Sequence, residues 1–185
     1  MGCTGVAEEK AVLRREVREQ AAQLPEIVRK AQDKALFKAF LGLEPVKNGK
    51  TVLVFWGMDP EPETTGLISA LLAYGKQVAL PVCRADGTLE ARLYRGGRLV
   101  RNRYGIPEPG EDCPRMERED LDVVLVPALC YDRKGFRLGR GKGFYDRFLA
   151  EYTGVSVGMC YKELVREELP RQEHDLPVKI LLTIT

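Results

Sequence analysis

A glycine-rich segment with alternating cations is the part of this sequence best suited to chemistry. Residues 139–143 read Gly-Arg-Gly-Lys-Gly, and the acid Asp146 follows them after two aromatic residues. Glycine has no Cβ, so several backbone N–H groups can approach one anion, while Arg140 and Lys142 add charge and donors. A helix predicted to begin at residue 144 adds the positive end of its dipole. We therefore predict a polyphosphate site here, with Asp146 suited to the magnesium ion that accompanies polyphosphates.

The same segment has a plainer interpretation. Glycine clusters often mark only a tight turn, and exposed Arg and Lys side chains are often simply hydrated. The segment matches neither G-x-x-x-x-G-K-[S/T] nor G-x-G-x-x-G, so it is not a Walker loop or a dinucleotide fingerprint. The succession of apolar strand, loop, cations, aromatic pair and acid favours the phosphate site. A helix N-cap remains the alternative role for Asp146.

Composition and charge exclude several classes of protein. The chain has 185 residues, of which 44% are hydrophobic and 30% charged, as in a globular protein with a real core. Its 29 basic and 27 acidic residues give a net charge of +2, so nucleic acid is not an expected partner. Without a membrane-spanning run or a signal-peptide pattern, we expect a cytoplasmic location. The five cysteines and the single histidine, His174, favour reduced thiols over disulfides or zinc.

The apolar pattern predicts an α/β fold: a single open, mostly parallel sheet flanked by helices on both faces, with an N-terminal helical segment. We expect one domain over residues 1–185, with residues 1–7 flexible. Predicted helices cover residues 8–23, 25–40, 65–74 (capped by Thr64) and 144–152. Predicted strands cover residues 51–56, 77–80 (closed by Pro81), 89–93, 123–126, 155–159 and 180–184, and residues 95–119 form a long loop. The loops after Trp56, Val126 and Met159 should converge on one crevice at the carboxyl ends of the strands.

Several motifs, taken in order, resemble the 5-formyltetrahydrofolate cyclo-ligase family, also called 5,10-methenyltetrahydrofolate synthetase. The strongest match runs from Val126 to Leu149 and contains a strand, a D-x-x-G-x-R-L-G turn, the glycine-rich loop and a Y-D-R ending. The weaker matches are Lys10-x-x-Leu13-Arg14, Glu61-Pro62-Glu63-Thr64-x-x-Leu67-Ile68, Gly75-Lys76-x-Val78-x-Leu80-Pro81, Tyr104-Gly105-Ile106-Pro107-Glu108-Pro109 and His174-Asp175. The resemblance covers nearly the whole chain.

The resemblance implies an ATP- and Mg²⁺-dependent enzyme that closes 5-formyltetrahydrofolate to 5,10-methenyltetrahydrofolate and releases ADP and phosphate. The formyl oxygen leaves poorly as oxide or hydroxide, and phosphorylation converts it into a phosphate leaving group. The protein's task is then positioning and charge neutralisation. The implied partners are ATP and 5-formyltetrahydrofolate, with or without a polyglutamate tail, and we expect either a monomer or a homodimer.

The resemblance also implies roles for individual residues. The residues expected to bind ATP are Lys10, Arg14, Arg137, Gly139, Arg140, Gly141, Lys142, Gly143 and Tyr145. Two of these, Arg140 and Lys142, are expected to be catalytic. Trp56, Glu61 and Tyr104 are expected to bind the folate. The carboxylates of Asp146 and Asp175 are expected to bind the metal, and His174 is expected to be structural.

Each role has a plainer alternative. Lys10 and Arg14, four residues apart, could form a hydrated helix face. Trp56 and Tyr145 could fill the core, while the acids could belong to ordinary loops. For the whole protein, the alternatives are a homologous ATP-binding protein with a different folate-like substrate, and a non-catalytic phosphate- or RNA-binding module. The near-neutral charge disfavours RNA.

Overall fold

Seven β-strands form the central sheet of the computed structural model, which describes residues 3–184. The helices are α1 (Cys3–Ala22), α2 (Glu26–Gly42), α3 (Glu44–Asn48), α4 (Thr65–Ala73) and α5 (Phe144–Ala150). The strands are β1 (Thr51–Leu53), β2 (Gln77–Cys83), β3 (Leu89–Tyr94), β4 (Leu99–Arg101), β5 (Pro107–Pro109), β6 (Arg115–Met116), β7 (Val123–Val126), β8 (Cys130–Tyr131), β9 (Arg137–Leu138), β10 (Val155–Cys160) and β11 (Ile180–Thr183). In this part of the chain, no helix has both the length and the apolar character needed to cross a membrane.

The sheet is open and mostly parallel, in the order β11-β10-β7-β1-β2-β3-β6. The strands from β11 to β2 are parallel to their neighbours, and β3 and β6 add an antiparallel edge. Every residue of β1 and β7 is buried, as expected for central strands covered on both faces. The predicted α/β fold with an open, mostly parallel sheet and an N-terminal helical segment is confirmed.

The side chain of Thr64 does not cap α4 as predicted. Thr64 occupies the N-cap position, but its side chain makes no capping hydrogen bond. Instead, its hydroxyl accepts a bond from the N–H of Gly57 at 2.8 Å and donates one to the carbonyl of Phe55 at 2.6 Å. Thr64 therefore fixes the loop after β1, which contains Trp56 and Glu61.

The strand β2 continues through Pro81, which the sequence predicted to close it. Pro81 pairs with Ala91 of the antiparallel neighbour β3. The carbonyl of Ala79 faces β1, where it accepts the N–H of Val54 at 2.9 Å. Pro81, two residues further along, has the same orientation but lies beyond the end of β1. Its missing N–H therefore removes no bond from the sheet.

Other element boundaries also differ from the prediction. Helix α1 begins at Cys3, so residues 3–7 are helical and extend the element predicted to start at residue 8. Strand β1 ends at Leu53, although the next residues, Val54 and Phe55, remain fully buried. Residues 95–119, predicted to be a loop, contain the hairpin β4–β5, strand β6 and the start of a short 3-10 helix (Arg118–Asp120). These strands of two or three residues are too short to show a clear apolar alternation.

A buried aspartate organises the turn between β8 and β9. Asp132 is 0% exposed, and its Oδ1 accepts the N–H groups of Lys134 at 2.9 Å and Phe136 at 3.0 Å. Its Oδ2 accepts the N–H of Leu169 at 3.2 Å. Gly135 turns the chain in a left-handed conformation with φ of 85°. This turn leads through β9 directly into the glycine-rich segment 139–143.

We expect Asp132→Ala to destabilise the protein, because three backbone N–H groups would lose their acceptor in a buried environment. The free energy of unfolding should fall by about 3 kcal/mol, measured by urea denaturation. The exposed Asp112 provides the control, and Asp112→Ala should change the same quantity by less than about 0.5 kcal/mol. Similar losses in the two variants would contradict this role for Asp132.

Candidate active site

One cavity of about 520 Å³ collects residues from distant parts of the chain. It is lined by every residue that the sequence analysis assigned to ligand binding, metal binding or catalysis: Lys10, Arg14, Trp56, Glu61, Tyr104, Arg137, Gly139, Arg140, Gly141, Lys142, Gly143, Tyr145, Asp146 and Asp175. The loops after β1 and β7 reach it directly. The chain after β10 reaches it only further on, through Gln172, His174 and Asp175. The roles of these residues stay predictions.

One face of α1 spans both the core and the cavity. Val17 and Ala21 are buried in the core, and Ala7, Lys10 and Arg14 line the cavity further towards the N-terminus. These five positions follow the spacing of one helical face, since neighbours on a face lie three or four residues apart. The apolar end of the face anchors the helix, and the other end presents two cations to the site.

The glycine-rich segment is held by arginines that bind its carbonyl groups. Arg14 donates from Nε to the carbonyl of Gly139 at 2.8 Å. Arg147 donates from Nη2 to the carbonyl of Lys142 at 2.7 Å. Gly143 has a φ of 71°, and a Cβ atom there would lie 2.7 Å from Nη1 of Arg147. The left-handed backbone favours glycine at this position, and a larger residue would also displace the end of the Arg147 side chain.

The cation Arg140 lies against the buried carboxylate of Glu61. Glu61 is 8% exposed, and its Oε1 accepts a bond from Nε of Arg140 at 3.2 Å. The other oxygen, Oε2, accepts the N–H of Met58 at 3.0 Å. Arg140 also donates from Nη2 to the carbonyls of Met58 at 2.9 Å and Asp59 at 3.2 Å. Burial raises the pKa of Glu61, and the charge and hydrogen bond of Arg140 oppose that rise.

Two aromatic residues face the same cavity in different ways. Tyr104 is 40% exposed, and Nζ of Lys142 lies 5.9 Å from its ring centroid, within the range of a cation–π contact. The hydroxyl of Tyr145 is buried and has no hydrogen-bond partner among the described residues. Burial raises the pKa of Tyr145 well above its ordinary value. A buried hydroxyl without a partner is suited to bond with a ligand that enters the cavity.

The two carboxylates predicted to bind metal are each paired with a cation. Asp175 accepts bonds at Oδ2 from Nζ of Lys10 and from the N–H of Gln172, the latter at 2.7 Å. Burial alone would raise the pKa of Asp175, but these hydrogen bonds and the Lys10 charge outweigh it, so the pKa is lowered. Asp146 accepts a bond at Oδ1 from Nη2 of Arg137 at 2.6 Å. Within residues 3–184, no group of three or more His, Cys, Asp or Glu side chains could hold a metal ion by itself.

The alternative role of Asp146 as a helix cap is wrong. Gly143 occupies the N-cap position of α5, and Asp146 lies within the first turn. Its carboxylate is bound by Arg137, whose Nη1 also donates to the carbonyl of Leu176 at 3.1 Å. The side chain of Arg137 is only 5% exposed, so it connects Asp146 with the segment that contains Asp175.

The sequence analysis missed several residues that line the cavity. Cys83 lies at the end of β2, a position that the strand-end rule could have identified. Burial and the nearby Glu108 raise the pKa of Cys83 to about 12, so its thiol is protonated at neutral pH. Glu108 belongs to the motif at residues 104–109, in which only Tyr104 received a role. The other missed residues are Ala7, Phe55, Met58, Pro81, Ile106, Pro127, Leu138, Phe144 and Gln172.

Comparison with known proteins gives consistent matches along the chain. Residues 6–184 match the 5-formyltetrahydrofolate cyclo-ligase family. The chain is 36% identical over 182 residues to the 5-formyltetrahydrofolate cyclo-ligase of Mycolicibacterium smegmatis, and the match covers 94% of this chain and 93% of that protein. It is 37% identical over 146 residues to the enzyme of the same name from Escherichia coli, and this match covers 75% of this chain and 80% of that protein.

Solved structures give the same result. The NMR structure of 5,10-methenyltetrahydrofolate synthetase from Aquifex aeolicus matches with a TM-score of 0.84 at 31% identity. The match covers 94% of this chain and 89% of that one. A synthetase of the same name from Mycoplasma pneumoniae matches with a TM-score of 0.74, and at 20% identity this likeness shows the fold alone.

We expect Arg140→Met to destabilise the protein more at about pH 8 than at about pH 4. The pKa of Glu61 is already raised in the folded protein, so its ionised form costs stability as the pH rises above the ordinary pKa of a carboxyl group. Without Arg140 that pKa should rise further. The loss at the higher pH should be about 1–2 kcal/mol, below that of a fully buried pair, because the side chain of Arg140 is 36% exposed.

Urea denaturation at both pH values measures this effect. Arg15→Met is the control, because Arg15 is an exposed cation on α1. It should cause little loss at either pH. A loss in Arg140→Met that does not depend on pH would show that Arg140 does not stabilise the ionised Glu61.

Proposed function

Because the chain belongs to the 5-formyltetrahydrofolate cyclo-ligase family, we propose that it closes 5-formyltetrahydrofolate to 5,10-methenyltetrahydrofolate in a reaction that consumes ATP and requires Mg²⁺. The main structural support for this mechanism is the position of the glycine-rich segment. The glycine-rich segment contacts Arg14 through Gly139 and Glu61 through Arg140. A single short segment thus joins a cationic part of the cavity, suited to phosphates, to a buried carboxylate suited to a pterin.

Glu61 is the proposed anchor for the pterin ring. A carboxylate can accept two parallel hydrogen bonds from an amidine-like edge such as that of a pterin. In this structure Oε1 of Glu61 is bonded to Arg140 and Oε2 to the N–H of Met58. The pterin donors would replace Arg140 as the partner of the carboxylate. Trp56 and Tyr104, which line the same cavity, would provide flat surfaces for the ring system.

Displacement from Glu61 would release Arg140 for phosphoryl transfer. The residues on either side of Arg140 are glycines, and Gly141 has a φ of 95°, so the backbone here can change conformation at low cost. Once free, the guanidinium can bind the transferred phosphoryl group together with Lys142. Cations placed where charge develops are the main contribution of a protein to phosphoryl transfer.

The proposed reaction consists of phosphorylation, ring closure and loss of phosphate. The formyl oxygen attacks the γ-phosphorus of ATP, the bond from that phosphorus to ADP breaks, and ADP leaves. The folate N10 bonds to the formyl carbon and loses its proton. The bond between that carbon and the phosphorylated oxygen then breaks, which releases phosphate and leaves the methenyl bridge between N5 and N10.

The carboxylates of Asp146 and Asp175 fit a magnesium ion. Magnesium prefers oxygen ligands and usually takes one or two protein carboxylates, with phosphate oxygens and water completing its coordination. Lys10 and Arg137 bind one oxygen of each acid and so would hold the carboxylates in place. When bound, the ion would neutralise phosphate charge.

Turnover by the purified protein tests the proposal. With ATP, Mg²⁺ and 5-formyltetrahydrofolate, we expect the absorbance of the conjugated methenyl product to increase, and ADP and phosphate to form in equal amounts. Omitting ATP, or removing Mg²⁺ with a chelator, should abolish the signal. No product above the ATP-free control would refute the proposed reaction.

Lys142→Ala should lower kcat by about 100-fold or more, because a cation that stabilises the transferred charge would be lost. The variant should remain folded, since the Lys142 side chain makes no hydrogen bond or salt bridge with residues 3–184 and its Nζ lies 5.9 Å from the ring centroid of Tyr104. Steady-state kinetics measures the change. The exposed Lys38 provides the matched control, and Lys38→Ala should retain the wild-type kcat. A kcat in Lys142→Ala within twofold of wild type would remove Lys142 from the proposed mechanism.

A further inference from the structure

A buried carboxylate outside the proposed reaction connects β2 to the hairpin β4–β5. Glu108 lies on β5 and is 7% exposed. Its Oε1 accepts the N–H of Cys83 at 2.8 Å and an N–H of the Asn102 side chain at 2.6 Å. A single carboxylate oxygen therefore fastens the hairpin to the end of a central strand and also fixes the side chain of Asn102.

Asn102 in turn fixes the loop at the tip of the hairpin. Its Oδ1 accepts the N–H of Tyr104 at 2.8 Å and the N–H of Ile106 at 3.0 Å. Its own backbone N–H donates to the carbonyl of Ile106 at 2.9 Å, and its carbonyl accepts the N–H of Gly105 at 2.9 Å. The five-residue tip is thus closed on itself around one amide side chain, which Glu108 orients.

This arrangement determines where the ring of Tyr104 lies. The ring lines the cavity and contacts Lys142 of the glycine-rich segment on the opposite side. Cζ of its chain neighbour Arg103, which belongs to the same tip, lies 4.9 Å from the ring centroid, and 40% of Tyr104 is exposed to solvent. Its position depends on the backbone of the tip, and the tip depends on Asn102 and Glu108.

We propose that Glu108 and Asn102 are positioning residues for the folate, which act by holding Tyr104 as a preformed wall of the cavity. This inference rests on the proposed function for the identity of the ligand. Preorganisation of a wall lowers the entropic cost of binding, so its loss weakens affinity without removing any atom that touches the ligand. The competing explanation is that the Glu108 carboxylate, which also lines the cavity, binds the folate itself.

Two substitutions of Glu108 separate these explanations. In Glu108→Gln the amide oxygen can take the place of Oε1, which accepts both observed bonds, so the hairpin should stay in place without the negative charge. Glu108→Ala removes the acceptor altogether. Calorimetry without ATP gives the Kd for 5-formyltetrahydrofolate. It should rise about five- to tenfold in Glu108→Ala and stay within about twofold of wild type in Glu108→Gln.

A double substitution tests whether Glu108 acts through Tyr104. If it does, Glu108→Ala combined with Tyr104→Ala should bind the folate no more weakly than Tyr104→Ala alone. The Kd for a non-hydrolysable ATP analogue should be unchanged in Glu108→Gln, in which Tyr104 keeps its place beside Lys142. Glu111→Ala, which removes an exposed acid of the same region, should bind both ligands like the wild type.

Several results would overturn the inference. A folded Glu108→Gln that binds as weakly as Glu108→Ala would show that the charge itself contacts the folate. Additive losses in the double variant would show that Glu108 does not act through Tyr104, and a wild-type Kd in Glu108→Ala would remove its role. If Glu108→Ala does not fold, Asn102→Ala, which removes the acceptor for the tip N–H groups, takes its place in each comparison.

Hydrogen exchange measured by NMR tests the hairpin independently of any ligand. The amides of Tyr104 and Ile106 should exchange faster in Glu108→Ala and at the wild-type rate in Glu108→Gln. The wild type could fail to bind 5-formyltetrahydrofolate while exchange is faster in Glu108→Ala and unchanged in Glu108→Gln. That result would refute the proposed function but support the role of Glu108 in positioning Tyr104. Unchanged exchange in Glu108→Ala would refute the positioning role.

Discussion

The buried carboxylate of Glu61 is the constraint on which the rest of the site depends. It is 8% exposed, burial raises its pKa, and Arg140 is the charged hydrogen-bond partner that opposes that rise. Because Arg140 also belongs to the glycine-rich segment, the state of Glu61 is linked to the proposed phosphate site. A ligand that brings its own hydrogen-bond donors to Glu61 would change the position of the arginine and thereby prepare the site for phosphoryl transfer.

Hydrogen bonds from side chains to the backbone hold the two loops that contain Glu61 and Arg140. Thr64 uses its hydroxyl to hold the loop after β1, which contains Glu61. Asp132 uses Oδ1 to shape the turn before β9, which leads to Arg140, and uses Oδ2 to bind the N–H of Leu169. Helix α1 adds a third restraint, since Arg14 binds the carbonyl of Gly139. The parallel sheet supplies the common frame, because its strands end at one edge and their loops meet there.

Continuous apolar runs made the central strands and the α/β class predictable, and the alternation of glycine and cations identified the segment at residues 139–143. The contact between Arg140 and Glu61 was not predictable, because the two residues are 79 positions apart and only the folded chain brings them together. Pro81 was misread as a strand end, since a proline is tolerated wherever its nitrogen faces no neighbouring strand. The tip around Asn102 escaped notice because side-chain bonds, and not an apolar pattern, define it.

The most direct test of the link between Glu61 and Arg140 is the thermodynamic coupling between the two ligands. Calorimetry would give the Kd of 5-formyltetrahydrofolate with and without a saturating non-hydrolysable ATP analogue and Mg²⁺, and the Kd of the analogue with and without the folate. The exchange of Arg140 between Glu61 and phosphate predicts that each ligand tightens the other by the same factor, about fivefold or more, and that the factor approaches one in Arg140→Met. Independent binding of the two ligands to the wild-type protein would contradict the account.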